Sequence, residues 1–356
     1  MIDIIKLTNN KFYDFNESLS AFNYITENKI PYLVRDIEFK GGYCVINTRH
    51  YTLGELVDEL KTNSVFSKEF NSLIKNDTKI ILVNLHETEL DKDIDNLYKN
   101  LLDSKNIIIA NNDTNFIKNK FNHHKTHMIE KSYGQGYIES DIEFVKNKVG
   151  KKFLCLNNIK KEHRTALLSI LKYENILEDV NYSLIGNTYY PIQKRVCDIE
   201  KYGKEINYFK NKNFYTDYDK DVNTFDINKK DFENSYINIV TESFFLEKKV
   251  HISEKTLKPF WFYQFPLILA SSNHISLCEK YYGFDFFRDI IDHSYDLIKD
   301  DKERLIKFVE EIKRLNKLDI KKLYQENKNR FLKNRMICES FCTNEDDYIF
   351  FKKIFI

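Results

Sequence analysis

The residues with the most chemistry to offer lie in Tyr236-Ile-Asn-Ile-Val-Thr-Glu-Ser243 and, a short loop later, Ser253-Glu-Lys-Thr-Leu-Lys-Pro259. The first segment reads as a strand that carries Glu242 and Ser243 to its C-terminal end. The second reads as a helix opening with Ser253 as cap and with Glu254 and Lys255 in its first turn. In open α/β sheets that edge is where ligands bind, and helix N-terminal amides add positive potential beside it. Glu254 can accept from both hydroxyls of a ribose, while Lys255 supplies the cation a diphosphate needs. The pair suits a nucleoside diphosphate. The plain alternative is a capped surface helix whose Glu and Lys are simply solvated.

A second candidate is Asn157-Asn158-Ile159-Lys160-Lys161-Glu162-His163-Arg164, which joins a strand to a helix. Arg164 falls in the first helical turn, at the same sheet edge as Glu254 if the strands are parallel, and its planar fork could clamp a pyrophosphate. A single Arg in such a turn is also a common surface residue. In the first half, Leu85-His86-Glu87-Thr88-Glu89 follows a strand, so its polar residues emerge at a sheet edge. Glu87 is the candidate general base, with His86 behind it; a polar turn or helix start is the competing reading. His123-His124-x-x-His127 could share a metal but has no acidic or cysteine partner at suitable spacing, so a solvated loop is expected. Asp217-Tyr-Asp219 has the spacing of a metal-binding carboxylate pair, in an irregular stretch that argues against that use. No G-x-G-x-x-G or G-x-x-x-x-G-K-[ST] occurs, so any phosphate must be held by side chains and helix ends.

These residues need scaffolds. Ile30 to Val34, Tyr43 to Asn47, Ile80 to Leu85 and Ile107 to Ala110 read as strands, with Leu53 to Lys61 and Asp91 to Asp103 as intervening helices. Residues 116–150 break the pattern, and an interdomain linker is expected near the end of that stretch. A second α/β unit begins with a strand at Lys152 to Leu156 and a helix from about Glu162 to Tyr173. A polar, aromatic-rich stretch follows, then a short helix, the Tyr236 strand, the Ser253 helix and a strand at Leu267 to Ala270. Lys302 to Arg335 has a helical period, and the apolar tail Tyr348 to Ile356 needs something to pack on. The expected architecture is α/β, with domains at 1–148 and 149–335 and a segment 336–356 packing back on the first.

With 356 residues the chain can bury two ordinary cores, and 42% hydrophobic residues exclude a disordered protein. A formal net charge of +1 sets up no global attraction to nucleic acid or anionic membrane. No apolar run is long enough to span a bilayer, and the start lacks the regions of a signal peptide, so a cytoplasmic location is expected. The six cysteines are spread out and read as reduced core residues; Cys338 and Cys342 alone make a poor zinc site.

From Cys155 to the end of the Leu267 strand the chain resembles the donor domain of fucosyltransferase-type glycosyltransferases of the two-Rossmann GT-B architecture, and their viral and bacterial relatives. In that family an Asn-rich turn precedes a helix with an Arg, a strand ends in F-E-N, and T-E-K opens the next helix. Here these elements read Asn157 to Arg164, Val240-Thr241-Glu242-Ser243, and Ser253-Glu254-Lys255, with Ser243 in place of the family's Asn. Phe265-Pro266-Leu267-Ile268-Leu269 resembles the strand that follows, and Phe284-Asp285 and Asp292-His-Ser-Tyr-Asp296 resemble a pattern of the viral relatives. The resemblance covers roughly residues 152–304.

It implies two Rossmann-like domains facing a cleft, a C-terminal helix crossing back, and a GDP- or UDP-sugar donor used without a metal. Arg164 and Lys255 would hold the diphosphate, Glu254 the ribose, and Glu242 would order the pocket, with Ser243 and Lys258 completing the donor set. The implied reaction is an inverting sugar transfer to a hydroxyl of a glycan or other acceptor. Two alternatives stand beside it: transfer to modified DNA bases, which the near-zero charge disfavours, and a non-catalytic nucleotide-binding or interaction protein with the same fold.

Overall fold

The computed structural model describes residues 142–186, 191–217, 228–246, 250 and 252–343, Tyr137, and the backbone of six strands nearer the N-terminus. The chain divides into two compact units, Met1–Ser132 with Thr343–Ile356, and Tyr133–Cys342. The predicted helices at Leu53 to Lys61 and Asp91 to Asp103, the residues His86 and Glu87, and the tail Tyr348 to Ile356 lie outside the described residues.

The first unit holds β1 (Ile2–Ile5), β2 (Tyr32–Arg35), β3 (Tyr43–Asn47), β4 (Lys79–Asn84), β5 (Ile107–Asn111) and β6 (Asn122–Lys125) in one sheet of order β2-β1-β3-β4-β5-β6. Every pairing is parallel. Four of these strands were legible as β-branched apolar runs. Asn-His-His-Lys at β6 was not, and the expectation of a loop there is corrected: it pairs with β5 at the sheet's edge. Edge strands carry polar residues that a hydrophobicity pattern does not reveal.

The second unit is a four-stranded parallel sheet with eight α-helices among its described residues. In chain order these are β7 (Phe153–Cys155), α1 (Glu162–Tyr173), β8 (Val180–Tyr182), α2 (Ile199–Lys210), α3 (Lys229–Glu233), β9 (Ile237–Thr241), α4 (Glu254–Trp261), β10 (Phe265–Leu269), α5 (His274–Tyr282), α6 (Asp301–Asn316), α7 (Ile320–Glu326) and α8 (Lys328–Thr343). The strands are buried along the whole of β7, β9 and β10 and mostly apolar, with Asn238 of β9 bonded to Gln264, as a parallel sheet covered on both faces requires. Residues 162–171 of α1 are buried all round, so that helix is part of the core rather than a surface element.

Sheet order is β10-β9-β7-β8. After β7 the chain moves to β8 on one side, then returns past β7 to lay down β9 on the other. The order therefore reverses between β7 and β9, and the carboxyl ends of those two strands flank the switch point where open α/β sheets form a crevice. Arg164 enters from the helix after β7, and Glu242, Ser243 and Glu254 from the segments after β9.

Local capping follows the sequence closely. Asp198, Asn228, Ser253, Asp300 and Asp319 each accept from a backbone amide in the first turn of α2, α3, α4, α6 and α7. The helical stretch expected at Lys302 to Arg335 is three helices, because Asp319 and Asn327 interrupt it.

The segment leading into β7 is anchored by Lys148, which is 7% exposed. Its ammonium donates to the Phe232 carbonyl at 2.8 Å and lies 5.1 Å from the centre of the Tyr324 ring. Burial pulls its pKa down to about 7, with Glu233 opposing. Between pH 7 and the ordinary lysine value the unfolded chain binds the extra proton, so stability should rise with pH across that window. Lys148→Met should flatten this rise, checked by urea midpoints at several pH values from 7 to 10; a rise of unchanged slope would contradict the assignment.

Candidate functional site

The candidate site is built from the strand ends upward. Asn157, at the end of β7, is 1% exposed. Its backbone amide donates to Ser183 Oγ just beyond β8 at 3.0 Å, and its Oδ1 accepts from Thr241 Oγ1 at the end of β9. Its Nδ2 reaches Cys155 Sγ at 3.3 Å. One asparagine thereby fastens three strand ends in register. That explains an Asn at the head of the turn without any ligand.

Glu242 follows β9 and has no solvent exposure. Ser253 Oγ lies 2.9 and 2.8 Å from its two oxygens, Thr256 Oγ1 donates at 2.6 Å, and the amides of Ser243 and Ser253 donate at 3.2 and 3.3 Å. Burial alone would raise this carboxyl; the positive charge of Lys255 and the hydroxyl donors outweigh it and hold the pKa below the ordinary value. Glu242 is thus the acceptor onto which the first turn of α4 is mounted, with its lone pairs occupied from within the protein.

Proton counting extends this network one residue further. Thr256 has one hydroxyl proton and gives it to Glu242, so its contact with His274 Nε2 at 2.9 Å requires the imidazole to donate. His274 is therefore the Nε2–H tautomer. Its Nδ1 is buried with no partner, and burial keeps the ring's pKa below the ordinary value. Glu242, Thr256 and His274 form a buried relay that locks α4 against the start of α5.

Arg164 is 3% exposed. Its Nη1 donates to the Ile159 carbonyl at 3.1 Å and its Nη2 to the Thr241 carbonyl at 3.0 Å, while Nε has no partner. Burial lowers its pKa, and Glu242, Cys155 and Glu254 act against that. The sequence reading had an open fork at the rim; the structure places the guanidinium beneath the rim, bridging the β7 turn to the end of β9. Beside it His163 Nε2 donates to the Glu242 carbonyl at 2.9 Å and the ring stacks on Phe245 at 5.0 Å. Lys161, which sequence reasoning passed over, donates to the Ser243 carbonyl at 2.8 Å and ties the same two loops together.

Glu254 and Lys255 stand above this layer, with side chains 20% and 30% exposed and paired at 2.6 Å. Lys258 lies one turn further along α4, half-buried; burial lowers its pKa, with Glu254 pulling the other way. Electrostatic coupling links Arg164 to Glu242 and Glu254, and Lys258 to Glu254, Lys255 and Glu242. All five groups therefore occupy one neighbourhood at the switch point, three of them cations.

No protein-family model matches this chain, and no characterised protein shows significant sequence similarity to it. The site accordingly stands on its own chemistry: a carboxylate and a lysine on the first turn of α4 and a second lysine one turn on, over a buried arginine.

The remaining motifs turn out to be braces. Asp296 accepts from the amides of Ile275 and Ser276 and so caps α5. Asp285 and Asp289 both receive the Arg330 guanidinium of α8. His293 bonds Phe286 O and Tyr295 Oη. Asp217 pairs with Lys151 at 3.3 Å, while Asp219 lies outside the described residues. Among the described residues there is no group of three or more His, Cys, Asp or Glu side chains placed to hold a metal ion, and no helix long and apolar enough to cross a membrane.

Proposed function

We propose that the second unit binds a nucleoside-diphosphate sugar and that the protein transfers the sugar to a hydroxyl acceptor. The observation that carries this reading is the mounting of Glu254 and Lys255, through Ser253 and Thr256, on the buried Glu242 at the β7/β9 switch point. A rigid relay of this kind fixes a helix N-terminus whose partly exposed residues are a carboxylate and an ammonium, which is the complement of a ribose joined to a diphosphate.

In the proposed reaction the bond between the sugar's anomeric carbon and the diphosphate oxygen breaks as the acceptor oxygen bonds to that carbon. Lys255 and Lys258, with the field of Arg164 beneath them, stabilise the charge that builds on the leaving diphosphate, so no metal ion is needed for that role. Glu254 holds the ribose. The acceptor's proton passes to a general base, for which Glu87, with His86 behind it, is the candidate. Inversion at the anomeric carbon follows from a single displacement.

Turnover is tested by incubating the full chain with GDP- and UDP-sugars and a mixed panel of hydroxyl acceptors, and following release of the nucleoside diphosphate. Acceptor-stimulated release that persists in EDTA and is lost in Lys255→Ala is expected. Tight donor binding with no release under any acceptor would instead support a non-catalytic nucleotide-binding protein.

A further inference from the structure

At the other edge of the second sheet lies a surface the candidate site does not use. Helix α1 starts at the carboxyl end of β7 and must run back to the amino end of the parallel strand β8, so Lys172 and Tyr173 in its last turn lie away from the switch point. There they meet α2. Lys212 and Lys172 place their ammonium groups 5.4 and 4.7 Å from the centre of the Tyr208 ring, and Lys201 lies 5.2 Å from that of Tyr173. Lys201 also hydrogen-bonds Tyr202 and lies 5.0 Å from the centre of its ring, so three ammoniums and a set of tyrosine rings share one patch where α1 meets α2. Tyr208 is 38% and Tyr173 44% exposed, so both rings present area to solvent. Among the described residues none of the three lysines is ion-paired. Glu174, which acts on Lys201 at longer range, is bound by Lys313.

We propose that this stripe binds single-stranded nucleic acid, with bases stacking on Tyr208 and Tyr173 and phosphates taken by Lys212, Lys172 and Lys201. Aromatic rings set among positive charges are what surfaces that track a single strand without sequence preference use. A neutral glycan would call for carboxylates and amides beside the rings to bind its hydroxyls, and here the groups over them are ammoniums. The lysines do not block the rings: an exposed ammonium–ring contact is weaker than base stacking, so a phosphate that draws the ammonium away frees the face. The balanced net charge of the whole chain does not oppose this, because binding reads the local patch.

The test is fluorescence anisotropy of an end-labelled oligothymidylate of about 20 nucleotides with the full chain, at salt from about 50 to 200 mM. Saturable binding that weakens with salt is expected. Tyr208→Ala and Tyr173→Ala should each weaken it by about tenfold. Lys172→Gln and Lys212→Gln should each reduce the salt slope by about 0.7. All four are surface changes, and an unaltered unfolding transition confirms that each variant is folded. No binding at the lowest salt overturns the proposal. So does binding that the tyrosine variants leave intact, which would be charge attraction alone, or binding of neutral dextran in place of the oligonucleotide.

Discussion

Glu242→Ala is expected to destabilise the second unit by about 3–5 kcal/mol. The substitution removes no exposed group and no apolar packing of note. It leaves the Ser253 and Thr256 hydroxyls and the amides of Ser243 and Ser253 buried without their acceptor, and each such orphan costs about 1–3 kcal/mol. Some of these donors will find water in the space left behind, so the total falls short of the sum. Trp261 is the chain's single tryptophan, lies at the end of α4 and is 1% exposed, so its fluorescence during urea unfolding reports on this unit. A loss below about 1 kcal/mol would mean that the relay does not carry α4. The pH dependence has a definite sign. The folded carboxyl titrates below its unfolded value, so its contribution is present above the ordinary carboxylate pKa and is lost as pH falls through the folded one. Glu242→Ala should therefore be less sensitive to acid than the parent, while being less stable at neutral pH.

Lys255→Ala should cost far less stability than Glu242→Ala, because the hydroxyl and amide donors still hold the Glu242 carboxylate, while weakening nucleotide binding. Its ion pair with Glu254 is partly exposed, and such pairs contribute about 0–1 kcal/mol. A charge-assisted contact to a phosphate is worth about 1.5–3 kcal/mol, so affinity for a nucleoside diphosphate should fall about 10- to 100-fold. The free protein holds Lys255 against Glu254. In the proposed complex a diphosphate that takes the lysine would release the carboxylate for the ribose, so the two contacts would form together. Arg164→Ala should lower both stability and affinity, because its guanidinium joins the two loops under the rim. A Lys255→Ala variant that loses several kcal/mol of stability would move that residue from the binding surface into the scaffold.

Much of this was legible in the sequence. The strands β3, β7, β9 and β10 were legible because each is dominated by apolar residues. The start of α4 could be placed because Ser253 is a good cap followed by charged residues. Helix α2 and strand β8 were not seen. The Tyr and Lys content of 199–210 masks its apolar stripe of Tyr202, Ile206 and Phe209, and β8 is only three residues long. Glu242, Glu254 and Lys255 fall in one neighbourhood, as a strand end followed by a capped helix implied, but spacing says nothing about depth. Sequence could not tell that Arg164 lies under the rim, held by two carbonyls, or that Asn157 is a clasp. Nor could it show Thr256 and His274 joining Glu242, since those contacts cross elements that only the sheet order brings together.

The most direct test of the central claim is calorimetric titration of the full chain with GDP- and UDP-sugars in EDTA, in parallel with Lys255→Ala. Saturable one-site binding of at least one nucleotide sugar, abolished or weakened at least about tenfold in the variant, is the predicted result. Absence of heat with every nucleotide sugar, or equal affinity in the folded variant, would contradict it.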